Sequence, residues 1–152
     1  MTVTTERAAG RSLITPVLFD RLTQRITTDH PDITQADAER ILDQALAFLA
    51  TCATSTIPLG PSDIVDIGWH TFLLYTGEYA DFCTKVAGRY IHHAPDDLPG
   101  AQEQGASPAA TVSAIRAAGY RIESDLWPST AEDRSDCSQC HAGCHDSPKA
   151  GK

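Results

Sequence analysis

Residues 34–54 read TQADAERILDQALAFLATCAT, and this stretch decides the fold. Thr34 offers a hydroxyl to the free N–H groups of a helix start, and Asp37 places a negative charge in the first turn. Ala38, Ile41, Leu42, Ala45, Leu46, Leu49 and Cys52 then recur at intervals of three and four. At 3.6 residues per turn they form one apolar stripe, which has to be covered by neighbouring elements.

Working outward, the neighbours also read as helices. Upstream, Thr15-Pro16 pairs a capping hydroxyl with a proline at the first helical position, and Leu18, Leu22 and Ile26 follow at helical spacing. His30-Pro31 ends that run, because a residue before proline is pushed out of the α region. Downstream, 54–61 is a connecting loop. Ser62 caps the apolar segment Ile64–Tyr75, and Thr76 caps one carrying Tyr79, Phe82, Cys83 and Val86, which Gly88 closes. Residues 96–104 are polar and read as a surface loop. Ser107-Pro108 repeats the hydroxyl-plus-proline start, for a helix with Val112 and Ile115 that stops at Gly119. Tyr120, Ile122, Leu126 and Trp127 read as a clasp folding back on the bundle. No strand pattern competes. The fold class expected is all-α: a compact bundle of about five helices over 14–128, a flexible arm over 1–13, and an irregular Cys/His-rich tail over 129–152.

Composition narrows the function. The 152 residues carry a net charge of −8, with nine acids against five bases over 1–76 and eleven against seven over 77–152. An evenly negative chain lacks the clustered Lys and Arg that nucleic acid or anionic lipid requires, so neither is an expected partner. No apolar run approaches the roughly 20 residues of a membrane span, and the start has no apolar export segment. The expected location is cytoplasmic, where thiols stay reduced. Five cysteines, an odd number, argue against a closed disulfide framework.

Two clusters carry candidate chemistry. In the tail, Cys137, Cys140, His141, Cys144 and His145 stand within nine residues. A Cys-x-x-Cys turn sets two thiolates on one tetrahedral metal, and Cys144 or a histidine completes the set. Thiolates favour zinc, Cu(I) or an iron–sulfur cluster. The same residues spell the Cys-x-x-Cys-His of covalent haem attachment, but that chemistry belongs with exported proteins. Free or redox-active thiols are the competing reading.

The second cluster is Asp66, His70, Cys83, His92 and His93. Asp66 precedes His70 by four residues, so both lie on one helix face with Trp69 and Leu73. The carboxylate either orients the imidazole or shares a metal with it. The alternative is a hydrogen bond that fixes packing beside Trp69. Cys52, on its stripe, reads as a small hydrophobe.

The string VDIGWHTFLLY at 65–75, its continuation YADFC at 79–83 and GRYIHHAP at 88–95 resemble a known family. It is the one named after plant glycine-rich-domain-containing proteins, in its short bacterial form. The resemblance covers about residues 60–130. It implies a helical region in which Asp66, Trp69, His70, Tyr79, Cys83, His92 and His93 form a shared cluster, and it implies no defined activity. The ten glycines of this chain are scattered, so a glycine-rich domain is not expected.

The leading functional expectation is a small metal-binding protein of regulatory, binding or sensing type, taking zinc or another soft transition metal at the tail. Two alternatives are a metal-dependent enzyme built on Asp66, His70, His92 and His93, and a precursor whose Cys-rich tail meets a modifying enzyme. A protein partner acting on the tail fits the first and third. No His-Glu-x-x-His, Gly-x-Ser-x-Gly or phosphate loop is present.

Overall fold

In the computed structural model, which describes residues 6–94 and 107–128, side chains cap four of the five α-helices. Thr15 accepts from the Leu18 N–H ahead of α1 (Pro16–Asp29), and Thr34 from the Asp37 N–H ahead of α2 (Gln35–Thr54). Ser62 accepts from Val65 ahead of α3 (Asp63–Leu73), and Ser107 from Ala110 ahead of α5 (Pro108–Ala117). Each such cap satisfies an N–H that the helix itself leaves open. The exception is α4 (Thr76–Ala87): Thr76 is its first residue rather than its cap, and Tyr75 precedes it without a side-chain bond. The helix ends on Gly88 at φ 68°, a left-handed conformation that costs glycine no steric penalty.

The fold is all-α, with α2 at its centre. The sequence gives α2 one apolar stripe, yet every residue from Ile41 to Thr51 is buried. It is wrapped on several sides, and its small Ala45 and Ala47 let neighbours approach. α3 approaches closely, for a Cβ on Gly68 would stand 2.8 Å from the Ala45 Cβ and 3.2 Å from the Ile41 carbonyl oxygen.

Enclosing α2 also buries Asp43 and Gln44, and both are used. Gln44 holds the clasp. Its Oε1 accepts from the Trp127 indole at 2.8 Å and from the Glu123 N–H at 3.0 Å, and its Nε2 donates to the Arg121 carbonyl at 3.0 Å. Ser62 helps from α3, donating to the Leu126 carbonyl at 2.6 Å. Arg40, also on α2, reaches Asp37, Glu123 and Asp125.

Residues 6–13 differ from the free arm that the sequence suggests. Gly10–Leu13 form a 3-10 turn laid on α2, and the Arg11 N–H donates to Asp43 at 2.9 Å. Only a glycine fits at position 10, since a Cβ there would lie 2.0 Å from the Asp43 carbonyl oxygen. Ala8 pairs with Tyr120 through the Ala8 N–H to Gly119 bond, 2.9 Å, and the Arg121 N–H to Ala8 bond, 3.1 Å. A polar, mixed sequence hid this because the contacts are backbone contacts. The loop expected over 96–104 and the tail from residue 129 onward lie outside the described residues.

Candidate metal centre

The site is built on α3. The i, i+4 spacing sets Asp66 one turn before His70, and His70 Nδ1 lies 3.2 Å from Asp66 Oδ2. The second carboxylate oxygen, Oδ1, lies 2.7 Å from His93 Nε2. One carboxylate therefore bridges two imidazoles. The His70 and His93 rings pack with centroids 4.4 Å apart, and His93 also lies against Trp69 at 4.3 Å.

His93 arrives from the short segment after Gly88, where burial alternates. Ile91 and His93 turn inward, while Tyr90, His92 and Ala94 are exposed. Successive side chains on a non-helical stretch point to opposite sides. Two adjacent histidines consequently cannot both face α3, and it is His93 that does. His92 packs on the Tyr90 ring, with centroids 4.7 Å apart.

A buried circuit stands behind the pair. The Trp69 indole donates to the Tyr79 hydroxyl at 3.0 Å, and that hydroxyl donates to the Ile91 carbonyl. Tyr79 is fully buried, and burial raises its pKa above the ordinary tyrosine value, so it stays a neutral donor. Its ring meets Phe72 edge-on at 5.2 Å and Tyr90 likewise at 5.2 Å.

Among the described residues, Asp66, His70 and His93 each offer one ligand atom, and these atoms all lie within 4.8 Å of one another. Ligands at about 2.0–2.1 Å from a tetrahedral zinc stand roughly 3.4 Å apart, so shifts of about an ångström would suffice. Exposure is graded: 17% for the His93 side chain, 24% for Asp66 and 59% for His70. A bound ion would thus have protein on one side and water on the other.

Cys83 and His92 do not join this group. Cys83 lies in the core beside Tyr79, only 1% exposed. Cys52 is partly buried, and burial pushes its thiol up to about 12, which keeps it protonated at neutral pH. Residues Cys137, Cys140, His141, Cys144 and His145 fall outside the described residues. The part that sequence reasoning left undecided is the role of Tyr79, which reads equally well as an ordinary core aromatic. The alternation over 90–93 is the signal that could have separated His93 from His92.

A family model matches residues 11–112, two thirds of the chain, and it covers all three clustered residues. The chain belongs to the UCP032817-like family. This corrects the kinship inferred from the motifs, because the stretch that suggested a glycine-rich-domain family, 65–95, falls inside the UCP032817-like match. Trp-His and His-His-x-Pro blocks on a helical bundle do not by themselves distinguish the two. The UCP032817-like family is uncharacterised, so membership assigns no activity. The match ends within α5, leaving the clasp and tail beyond it. No curated protein and no solved structure matches the chain. No helix among the described residues is long and apolar enough to cross a membrane.

Proposed function

We propose that this protein binds one divalent transition-metal ion, zinc foremost, through Asp66, His70 and His93, and serves a binding or sensing role. The observation that supports this most directly is the mutual approach of three ligand atoms within 4.8 Å on a half-buried face. Two imidazoles and a carboxylate form a borderline donor set that suits zinc, iron, nickel or copper better than magnesium or calcium. In the structure the carboxylate is hydrogen-bonded to the His93 ring and lies 3.2 Å from the His70 ring. Metal binding would need each ring to turn an unprotonated nitrogen lone pair to the ion in place of its contact with the carboxylate.

The tail cysteines and histidines are a separate candidate site for a softer metal, and they set the design of the test. The untagged protein is expressed whole and as a version ending at Pro128, and bound metal is measured by elemental analysis. About one equivalent retained by the shorter chain, and lost on His93→Ala, supports the proposal. Metal lost with residues 129–152 moves the site to Cys137, Cys140, His141, Cys144 and His145. Metal in neither form rejects both sites. The reading also takes the protein to act in the cytoplasm, without nucleic acid, where free thiols persist.

One observation favours a second reading. His70 is the most exposed of the three, so a zinc held there keeps a fourth position open to water. Such a centre lowers the pKa of the bound water and supports metal-assisted hydrolysis. Turnover of an activated ester by zinc-loaded protein, lost in Asp66→Ala, would favour this reading over sensing.

A further inference from the structure

α3 supplies Asp66 and His70 with fixed geometry one helical turn apart. It cannot supply His93, which is 27 residues from Asp66 in sequence and stands on a segment without helix. Some long-range contact must set the third side chain. Leaving aside the contacts of His93 itself, two hydrogen bonds among the described residues tie the segment to the bundle: Arg89 to the Cys52 carbonyl, and the Tyr79 hydroxyl to the Ile91 carbonyl. The first is exposed and four residues from His93. The second is buried and two residues away.

We propose that the Tyr79 hydroxyl is the positioning residue for His93, holding it against Trp69 and Asp66 and thereby setting the metal affinity of the site. This rests on the metal-binding reading for its affinity part alone. The geometry is a closed circuit. Trp69 donates to Tyr79, Tyr79 donates to Ile91, Ile91 is two residues from His93, and the His93 ring returns to Trp69 at 4.3 Å. Within it, the indole does two jobs: its N–H fixes the direction of the phenol, and its ring forms the wall on which the imidazole rests. Tyr79 is 0% exposed, so no water competes for its hydroxyl. Removing that oxygen leaves the Ile91 carbonyl and the Trp69 N–H without partners inside the core, and the segment must shift to reach solvent. Tyr79 never touches the ion. Its effect is that of groups that orient a ligand from behind, whose loss costs roughly 10–100-fold in metal affinity.

The test compares Tyr79→Phe with Ile26→Val, a core truncation on α1 outside the circuit, using two readouts. One is zinc affinity by competition with a chromophoric chelator. The other is the nuclear Overhauser contact between the His93 and Trp69 rings in metal-free protein. The expected result is that Tyr79→Phe weakens zinc by about 10–100-fold and loses the ring contact, while Ile26→Val changes neither. Wild-type affinity with the contact intact in Tyr79→Phe overturns the proposal, as does an equal loss in Ile26→Val. If the wild-type protein takes up no zinc, the metal reading fails, and the ring contact alone decides whether Tyr79 positions His93. Should Tyr79→Phe not fold, Trp69→Phe probes the same circuit from its other side. An unchanged zinc affinity there overturns the proposal.

Discussion

Asp66 and His70 reach the candidate site in one way, and His93 in another. The first two are set by the pitch of α3, so their spacing depends on hydrogen bonds that every helix makes. The third hangs on a short irregular segment, and its place depends on a phenol and an indole distant in sequence that meet a carbonyl two residues away. The helix half is cheap to specify and hard to disturb. The segment half is specified by a few buried polar contacts, each costly to lose. A site assembled this way is rigid on one side and tunable on the other.

The largest expected effect comes from removing the residue that joins the halves. Asp66→Ala deletes the carboxylate that meets both imidazoles, and zinc uptake measured by calorimetry is expected to fall by more than about 100-fold. Retained affinity would mean that the carboxylate orients the rings without ligating. Next, the two adjacent histidines should separate cleanly. His93→Ala is expected to weaken zinc at least tenfold, while His92→Ala, whose ring turns to Tyr90 and solvent, should leave it unchanged. Equal effects would break the distinction between inward and outward side chains.

A third change disturbs the helix half through its packing. Gly68→Ala pushes a methyl to 2.8 Å from the Ala45 Cβ, and the backbone of α2 blocks retreat. Overpacking of this kind costs about 1–3 kcal/mol, read as a lower midpoint in urea unfolding. Unchanged stability would show that α3 slides on α2 without penalty. The smallest expected effect is far from the site. Arg40 holds Asp125 below the usual carboxylate range, chiefly by their hydrogen bond. A depressed folded-state pKa adds stability that is present above the ordinary aspartate pKa and lost as pH falls through the lowered one. Arg40→Gln should therefore cost little, and only above the acid range, because the pair is exposed. A loss that persists after Asp125 is protonated would point to packing of the Arg40 stem instead.

The same division explains what the chain revealed in advance. Hydroxyls at Thr15, Thr34, Ser62 and Ser107 marked four helix starts, because capping is local chemistry written in one or two residues. The Asp66–His70 pair was legible for the same reason, and so was a clasp ending in Trp127. Gln44, which secures that clasp, is a polar residue and no part of the apolar stripe of α2. Only the wrapping of α2 on several sides buries it. Gly10 gave no sign either, since its importance lies in a carbonyl 33 residues onward. His92 and His93 separate only when Ile91 is taken as the inward residue of an alternating stretch.

The Ala8–Tyr120 pairing has an engineering consequence. It brings the entry of the helical unit beside the start of its clasp, as in a drawer whose two runners meet at the front. Such a unit can be spliced into a surface loop of a host protein without prying the host apart. It should also tolerate having its old ends fused and new ones opened elsewhere. A permuted chain that keeps the clasp, with a flexible linker joining residue 128 to residue 6, should keep the helical circular-dichroism signal of the parent. Collapse of that signal would mean that the order in which the helices are made matters as much as where they end.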